Sequence, residues 1–221
     1  MNIFDILGPV MVGPSSSHTA GAVKIGLIAA ELLEDTPIEA AIYLHGSFAS
    51  TGTGHGTDKA LIAGLLGMHP DDIRIPKSFE LAEKEGLQFK FENRTLKDAH
   101  PNTALLDLKG KNGRAIEVQA SSIGGGRIMI NKLDGIDVNF SSEKPTLIVH
   151  NIDQPGHVAE VTSMLSHKSV NIATMQLYRD KRGGYAVMVL ETDQAIPSEA
   201  IQWLEHLEGI LKVTYINTEE Q

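Results

Sequence analysis

The chain has 221 residues, 42% of them hydrophobic and 21% charged, values that describe an ordinary globular chain and exclude disorder, collagen and coiled coil. Nineteen basic side chains against 28 acidic ones give a net charge of −9, divided as 14 against 18 over residues 1–145 and 5 against 10 over residues 146–221; neither part carries the basic stripe that nucleic-acid binding requires. The chain contains no cysteine, so it offers no disulfide, no thiolate nucleophile, and no cysteine ligand for an iron–sulfur cluster or a zinc site.

No apolar run reaches the roughly 18 residues of a membrane helix, and Met1 to Met11 has an acid but no basic stretch of the kind that opens a signal peptide. Together with the cysteine count, these features predict a soluble, cytoplasmic chain. Polar small-residue segments then appear in order. The first is Gly13-Pro14-Ser15-Ser16-Ser17-His18-Thr19, which runs into an amphipathic helix carrying Val23, Leu27, Ile28, Leu32 and Leu33. Hydroxyls at a helix N-terminus, with its free N–H groups and positive dipole end, form a cradle for a carboxylate or phosphate. One serine is needed as N-cap. His18, in the first turn, is expected to be neutral and able to accept a proton; a solvated or packed histidine beside an ordinary cap is the alternative.

The second segment, Gly46 to Asp58, follows the strand 40–44 and precedes a helix at about 57–67. It reads as a glycine-rich anion-binding loop, with His55 and Asp58 among its small residues. It is neither a Walker A loop nor a dinucleotide fingerprint, and a merely flexible loop is the alternative. The third, Ala120 to Arg127, holds Gly124, Gly125 and Gly126 between two strands, and Arg127 can clamp a carboxylate with two parallel donors. A glycine bulge in a hairpin explains it equally well. Strands near 40–44, 104–109, 115–120 and 127–131 predict a mixed sheet for residues 1–144. No metal-binding histidine spacing occurs, so no metal site is expected.

A polar seam at Ser141 to Pro145 predicts a domain boundary, with a second domain over 145–221. Strand 147–151, a turn at Asp153-Gln154-Pro155-Gly156, a helix carrying Val158, Val161, Met164 and Leu165, strand 171–179, a hairpin loop, strand 185–191, a helix after Pro197 and strand 210–216 give βαββαβ, the ferredoxin-like split unit. The fold class is therefore α/β of the α+β kind, and Asn217 to Gln221 reads as a frayed tail.

The run Asp153 to Val158, followed after a helix by Val170-Asn171-Ile172, resembles an ACT domain. That resemblance implies amino-acid binding at side-by-side interfaces, with Asp153, Gln154, Gly156, His157 and Asn171 as effector contacts, and a homodimer formed by sheet extension. The three small-residue blocks of the first domain resemble those of the iron–sulfur-dependent L-serine dehydratases, and the whole chain is similar to the β subunit of the two-subunit form. The resemblance implies conversion of L-serine to pyruvate and ammonia, with a [4Fe–4S] cluster held by the cysteines of a separate α subunit. It implies that Ser15, Ser16, Ser17 and Thr19 hold the substrate carboxylate or shape the site mouth, that His18 is the base, and that His55 and Asp58 supply further polar contacts. The first domain also resembles an allosteric substrate-binding domain of D-3-phosphoglycerate dehydrogenases, which implies instead a regulatory amino-acid-binding module.

Overall fold

The computed structural model describes residues 10–141 and 143–217. The chain divides into two units, Met1–Gly135 and Ile136–Gln221. The division falls ahead of the seam read at Ser141 to Pro145, of which Ser142 lies outside the described residues; so does the tail beyond Asn217.

In the first unit a π-helical turn, Ser16–Ala20, leads directly into helix α1 (Gly21–Leu33). Strand β1 (Pro37–His45) follows, then helices α2 (Gly46–His55), α3 (Thr57–Leu65) and α4 (Ser78–Glu85) and strands β2 (Gln88–Asn93), β3 (Asn102–Gly110), β4 (Ala115–Gly124) and β5 (Arg127–Leu133); β6 (Ile136–Phe140) opens the second unit. Within the first unit the strand order is β2-β1-β3-β4-β5. β1 and β2 are parallel, whereas β1–β3, β3–β4 and β4–β5 are antiparallel, because only the β1–β2 connection carries helices long enough for a crossover. The predicted strands of the first domain correspond to β1, β3, β4 and β5.

Helix α1 buries Val23, Ile25, Ile28 and Leu32 and lies over β3, β4 and β5. It crosses α3 at two glycines. A Cβ at Gly26 would stand 2.2 Å from the Leu61 carbonyl oxygen, and one at Gly64 would stand 2.0 Å from that of Val23. The two backbones therefore touch, and any side chain at either position would force the helices apart. Helix α4 and strand β2 have no counterpart in the sequence reading. They are fastened by a small aromatic group, Phe79 lying 4.9 Å and 6.2 Å from the rings of Phe89 and Phe91, rather than by a long periodic stripe.

The second unit has strands β7 (Thr146–Ile152), β8 (Ile172–Arg179), β9 (Tyr185–Thr192) and β10 (Ile210–Ile216) with helices α5 (His157–His167) and α6 (Ser198–Glu205). The antiparallel order β10-β7-β9-β8 is that of a ferredoxin-like βαββαβ fold, as the sequence predicts. Leu147, Val149, Val161, Leu165, Met188, Leu190 and Leu204 form its core beneath the two helices. Pro197 stands as the residue before α6 rather than within its first turn.

One carboxyl in the first unit opposes its own ionisation. Burial raises Glu31 of α1 to about 7 from an ordinary 4.5. The folded state then holds a proton that the unfolded chain has released, so Glu31 stabilises the fold fully below its unfolded value and loses that contribution as pH rises through 7. Glu31→Gln is expected to melt with wild type near about pH 4.5 and roughly 2–4 °C higher near about pH 8. Equal melting temperatures at both pH values, by calorimetry, would contradict this.

Candidate active site

The site grows from the junction of β1 with α2 and from the π-turn before α1. Gly46 takes a left-handed φ of 56° at the end of β1, and Ser47 N–H then donates to the Pro101 carbonyl at 2.7 Å. The segment read as a glycine-rich loop is in fact helical over Gly46–His55, which corrects the sequence reading. Glycine, serine and threonine are weak helix formers. Here fully buried Phe48 anchors the helix, and the Thr51 hydroxyl donates back to the Ser47 carbonyl at 2.9 Å. Helical geometry places Ser47, Thr51 and His55, at i, i+4 and i+8, on one face.

The π-turn presents His18 to that face. Ser15 is the N-cap, extended at φ −141° and ψ 123°; its Oγ accepts the His18 N–H at 3.1 Å and lies 3.3 Å from Ser17 Oγ. The helix predicted to start near residue 18 therefore begins as a widened turn, and α1 proper starts at Gly21. A Cβ at Gly21 would stand 2.1 Å from Ser122 Oγ of β4, so the glycine lets the start of the helix lie directly on the sheet. Single π-turns of this kind recur at functional sites.

The His18 ring is held on both edges. Nδ1 lies 3.2 Å from Ser17 Oγ, and Nε2 lies 2.9 Å from Ser47 Oγ and 3.2 Å from Thr51 Oγ1. With the Thr51 hydroxyl donating to the Ser47 carbonyl, its nearest acceptor at 2.9 Å, it accepts toward Nε2. The network thus assigns the proton of the neutral ring to Nε2 and the lone pair to Nδ1, facing Ser17. His55 is 4.9 Å away between ring centroids and Phe48 is edge-on at 5.4 Å. His55 Nδ1–H donates to the Thr51 carbonyl at 3.2 Å. Burial, and then the nearby His55, hold His18 below the ordinary imidazole range, with a hydrogen bond donated by the ring to the Ser47 backbone carbonyl pulling the other way. The His18 ring is therefore neutral at pH 7.

Of the residues singled out in sequence, Ser15, Ser17, His18 and His55 come together here. Ser16 contributes its carbonyl to the Gly21 N–H. Thr19 does not line the mouth. It is 3% exposed and its hydroxyl donates to the His55 carbonyl at 3.1 Å. Asp58 accepts the N–H of Lys59 at 2.8 Å and makes no contact with the imidazoles. Gly124, Gly125 and Gly126 form the β4–β5 hairpin with φ of 93°, 63° and 71°, and a register shift between Ser122 and Gly124 marks the bulge allowed for in sequence. Arg127 is exposed opposite Gly124. This segment reaches the helix start through Ser122, not through its glycines. Sequence reasoning missed the roles of Ser47, Thr51 and Thr57; the i, i+4, i+8 spacing was the available signal, hidden by reading the segment as a loop.

The ACT residues lie in the second unit. Asp153 accepts from Gly183 N–H at 2.9 Å and Arg179 at 3.1 Å, and the Gly183 hydrogen bond, then Arg179, hold its carboxyl below the usual range. Asn171 donates to Asp193 at 2.6 Å. Gln154 is exposed and Gly156 precedes α5 at φ 112°. His157 is 7% exposed, its Nδ1 3.2 Å from Glu160. Asp153 and Asn171 thus spend their polar groups within the unit, bracing the loops around β8 and β9.

Two α/β units, one bearing a hydroxyl-bound imidazole, His18, with a second imidazole beside it and the other the ACT topology, define the class of protein. Residues 2–132 match the family described as serine dehydratase beta chain, and residues 145–208 match the ACT domain. The chain is 40% identical over 215 residues to the probable L-serine dehydratase, beta chain, of Bacillus subtilis, covering 97% of each. It is also 40% identical over 194 residues to the L-serine dehydratase, beta chain, of Peptoniphilus asaccharolyticus, covering 87% of each. A D-3-phosphoglycerate dehydrogenase of Methanocaldococcus jannaschii is 33% identical over 117 residues, 48% of this chain and 22% of that one. The chain belongs to the serine dehydratase beta-chain family.

The iron–sulfur cluster implied by the resemblance finds no ligand set in this chain. It has no cysteine, and among the described residues no group of three or more His, Asp or Glu is placed to hold a metal. Also among the described residues, no helix is long and apolar enough to cross a membrane. The pairing of the two imidazoles can be checked directly. In His55→Gln the charge that disfavours His18 protonation is gone, so the His18 titration midpoint, read by NMR, is expected to rise toward the ordinary value of about 6.5. A midpoint unchanged or lowered would contradict the coupling.

Proposed function

We propose that this chain is the β subunit of an L-serine dehydratase, a lyase that converts L-serine to pyruvate and ammonia, and that it works only together with a cysteine-bearing α subunit. The α subunit would carry the [4Fe–4S] cluster. Family membership and 40% identity to two L-serine dehydratase beta chains support the reading. The single observation that carries the mechanism is the His18 ring held between hydroxyls, Nε2 beside Ser47 and Thr51 and Nδ1 beside Ser17.

In the reaction, Cα of serine loses a proton and Cβ loses its hydroxyl as water, leaving 2-aminoacrylate. That enamine tautomerises to an imine, and water hydrolyses the imine to pyruvate and ammonia. His18 Nδ1 takes the Cα proton. The resulting imidazolium is met on both edges by hydroxyl oxygens, Ser17 on one side and Ser47 with Thr51 on the other, because a hydroxyl accepts as readily as it donates. His55 adds repulsion against that charge, which keeps the ring ready to release the proton. Ser15, Ser16 and Ser17 orient the substrate carboxylate at the start of the π-turn, where backbone N–H groups and hydroxyls converge. Assistance to the departing hydroxyl comes from outside this chain.

The ACT unit forms a homodimer by extension of its sheet, for which β8 and β10 are the two edge strands. The assembled enzyme is cytoplasmic. A second reading has support from the M. jannaschii D-3-phosphoglycerate dehydrogenase match: a regulatory module that binds an amino acid without reacting it. Tight L-serine binding by this chain alone would favour that module, whereas activity only after mixing with α favours the shared site.

His18→Ala in the reconstituted αβ enzyme is expected to lower kcat by about 10²–10⁴-fold, the usual worth of a general base, with little change in KM. Turnover within a few fold of wild type would remove His18 from the reaction.

A further inference from the structure

Two buried threonines join the backbones that carry the two imidazoles. Thr19, next to His18, donates its hydroxyl proton to the His55 carbonyl at 3.1 Å; Thr57, two residues beyond His55, donates its own to the His18 carbonyl at 3.0 Å. Their exposures are 3% and 0%. Each histidine is thus held by the threonine beside the other, and the two bonds close a ring between the π-turn and the α2–α3 junction. Glycines back both side chains. A Cβ at Gly13 would stand 2.6 Å from Thr19 Cγ2, and one at Gly52 would stand 3.3 Å from Thr57 Cβ. The His55 carbonyl ends α2, where helical oxygens lack helical donors, so the Thr19 bond also satisfies a group that the sequence leaves open.

We propose that Thr19 and Thr57 are positioning residues that fix the separation and facing of the His18 and His55 rings through these reciprocal hydroxyl-to-carbonyl bonds. The proposal deepens the assignment of His18 as base and rests on it. Neither threonine touches a ring nitrogen. Their effect is geometric: a ring centroid distance of 4.9 Å is short enough that charge on one imidazole disfavours charge on the other, and a small displacement of either backbone changes both that repulsion and the aim of His18 Nδ1. The surroundings are otherwise poor in charge. The π-turn contributes serine hydroxyls, α2 contributes Ser47, Thr51 and Phe48, and β4 contributes Ser122. The start of α3 brings Asp58 and Lys59, with the Asp58 carboxylate turned onto the Lys59 N–H.

The experiment compares Thr57→Val, Thr19→Val and Thr57→Ser in the full chain, with two readouts. Histidine titrations of the labelled chain by NMR require no α subunit; turnover is measured after reconstitution with α. Both valine variants keep the side-chain shape and remove the hydroxyl. They are expected to shift the His18 titration and to lower kcat about tenfold, on the scale of a misaimed base, with KM held within about twofold. Thr57→Ser, which keeps the hydroxyl, is expected to restore both. Folded valine variants with wild-type titration and kcat overturn the proposal, as does a titration shift with unchanged kcat. Failure of the serine variant to rescue also overturns it, since packing rather than the hydroxyl would then be responsible. If the valine variants are fully active while His18→Ala is dead, the stitch fails and the base assignment stands. If His18→Ala retains turnover, both fall.

Discussion

A single hydroxyl proton sets the direction of the whole site. Thr51 has the Ser47 carbonyl one turn back as its nearest acceptor, and a hydroxyl that donates there can only accept from His18. The imidazole proton is thereby placed on Nε2 and the lone pair on Nδ1, where the serine-rich turn opens. This order depends on α2 being a helix, because in an irregular loop Ser47 and Thr51 would not share a face. It depends equally on the π-turn, which swings His18 out toward that face while Gly21 settles against Ser122. Secondary structure, tautomer and chemistry are one chain of cause in this part of the molecule.

Much of the second unit was legible in sequence, because its strands are short β-branched runs separated by unambiguous turns, and its helices carry clean apolar stripes. Strand β10 occupies 210–216 in reading and structure alike. The first unit was legible in its strands and in α1, and less so elsewhere. Helix α2 escaped because its stability lies in Phe48, Pro101 and hydroxyl back-bonds, all tertiary or local polar terms that propensity does not register. The π-turn escaped because its cause, a serine on β4 packed against a glycine on α1, lies about a hundred residues away in sequence. Strand β2 alternates polar and aromatic residues, yet it sits at a sheet edge with few buried positions, where the pattern is weakest.

The site residues divide in the same way. Ser15, Ser17, His18 and His55 were visible as residue types suited to proton transfer, and the fold gathers them. Thr19 was placed at the mouth by the family resemblance, but helical geometry turns the residue after His18 inward, where its hydroxyl serves a backbone carbonyl. Asp153 and Asn171 carry the ACT pattern and use their polar groups to brace loops. A motif can therefore mark a fold through residues whose polar groups are spent on architecture.

The most direct measurement of the central claim is the tautomer of His18. Nitrogen NMR of the labelled chain near neutral pH separates a protonated ring nitrogen from one bearing a lone pair. The account predicts a neutral ring with its proton on Nε2 and an unprotonated Nδ1. A proton on Nδ1, or an imidazolium at that pH, would contradict it.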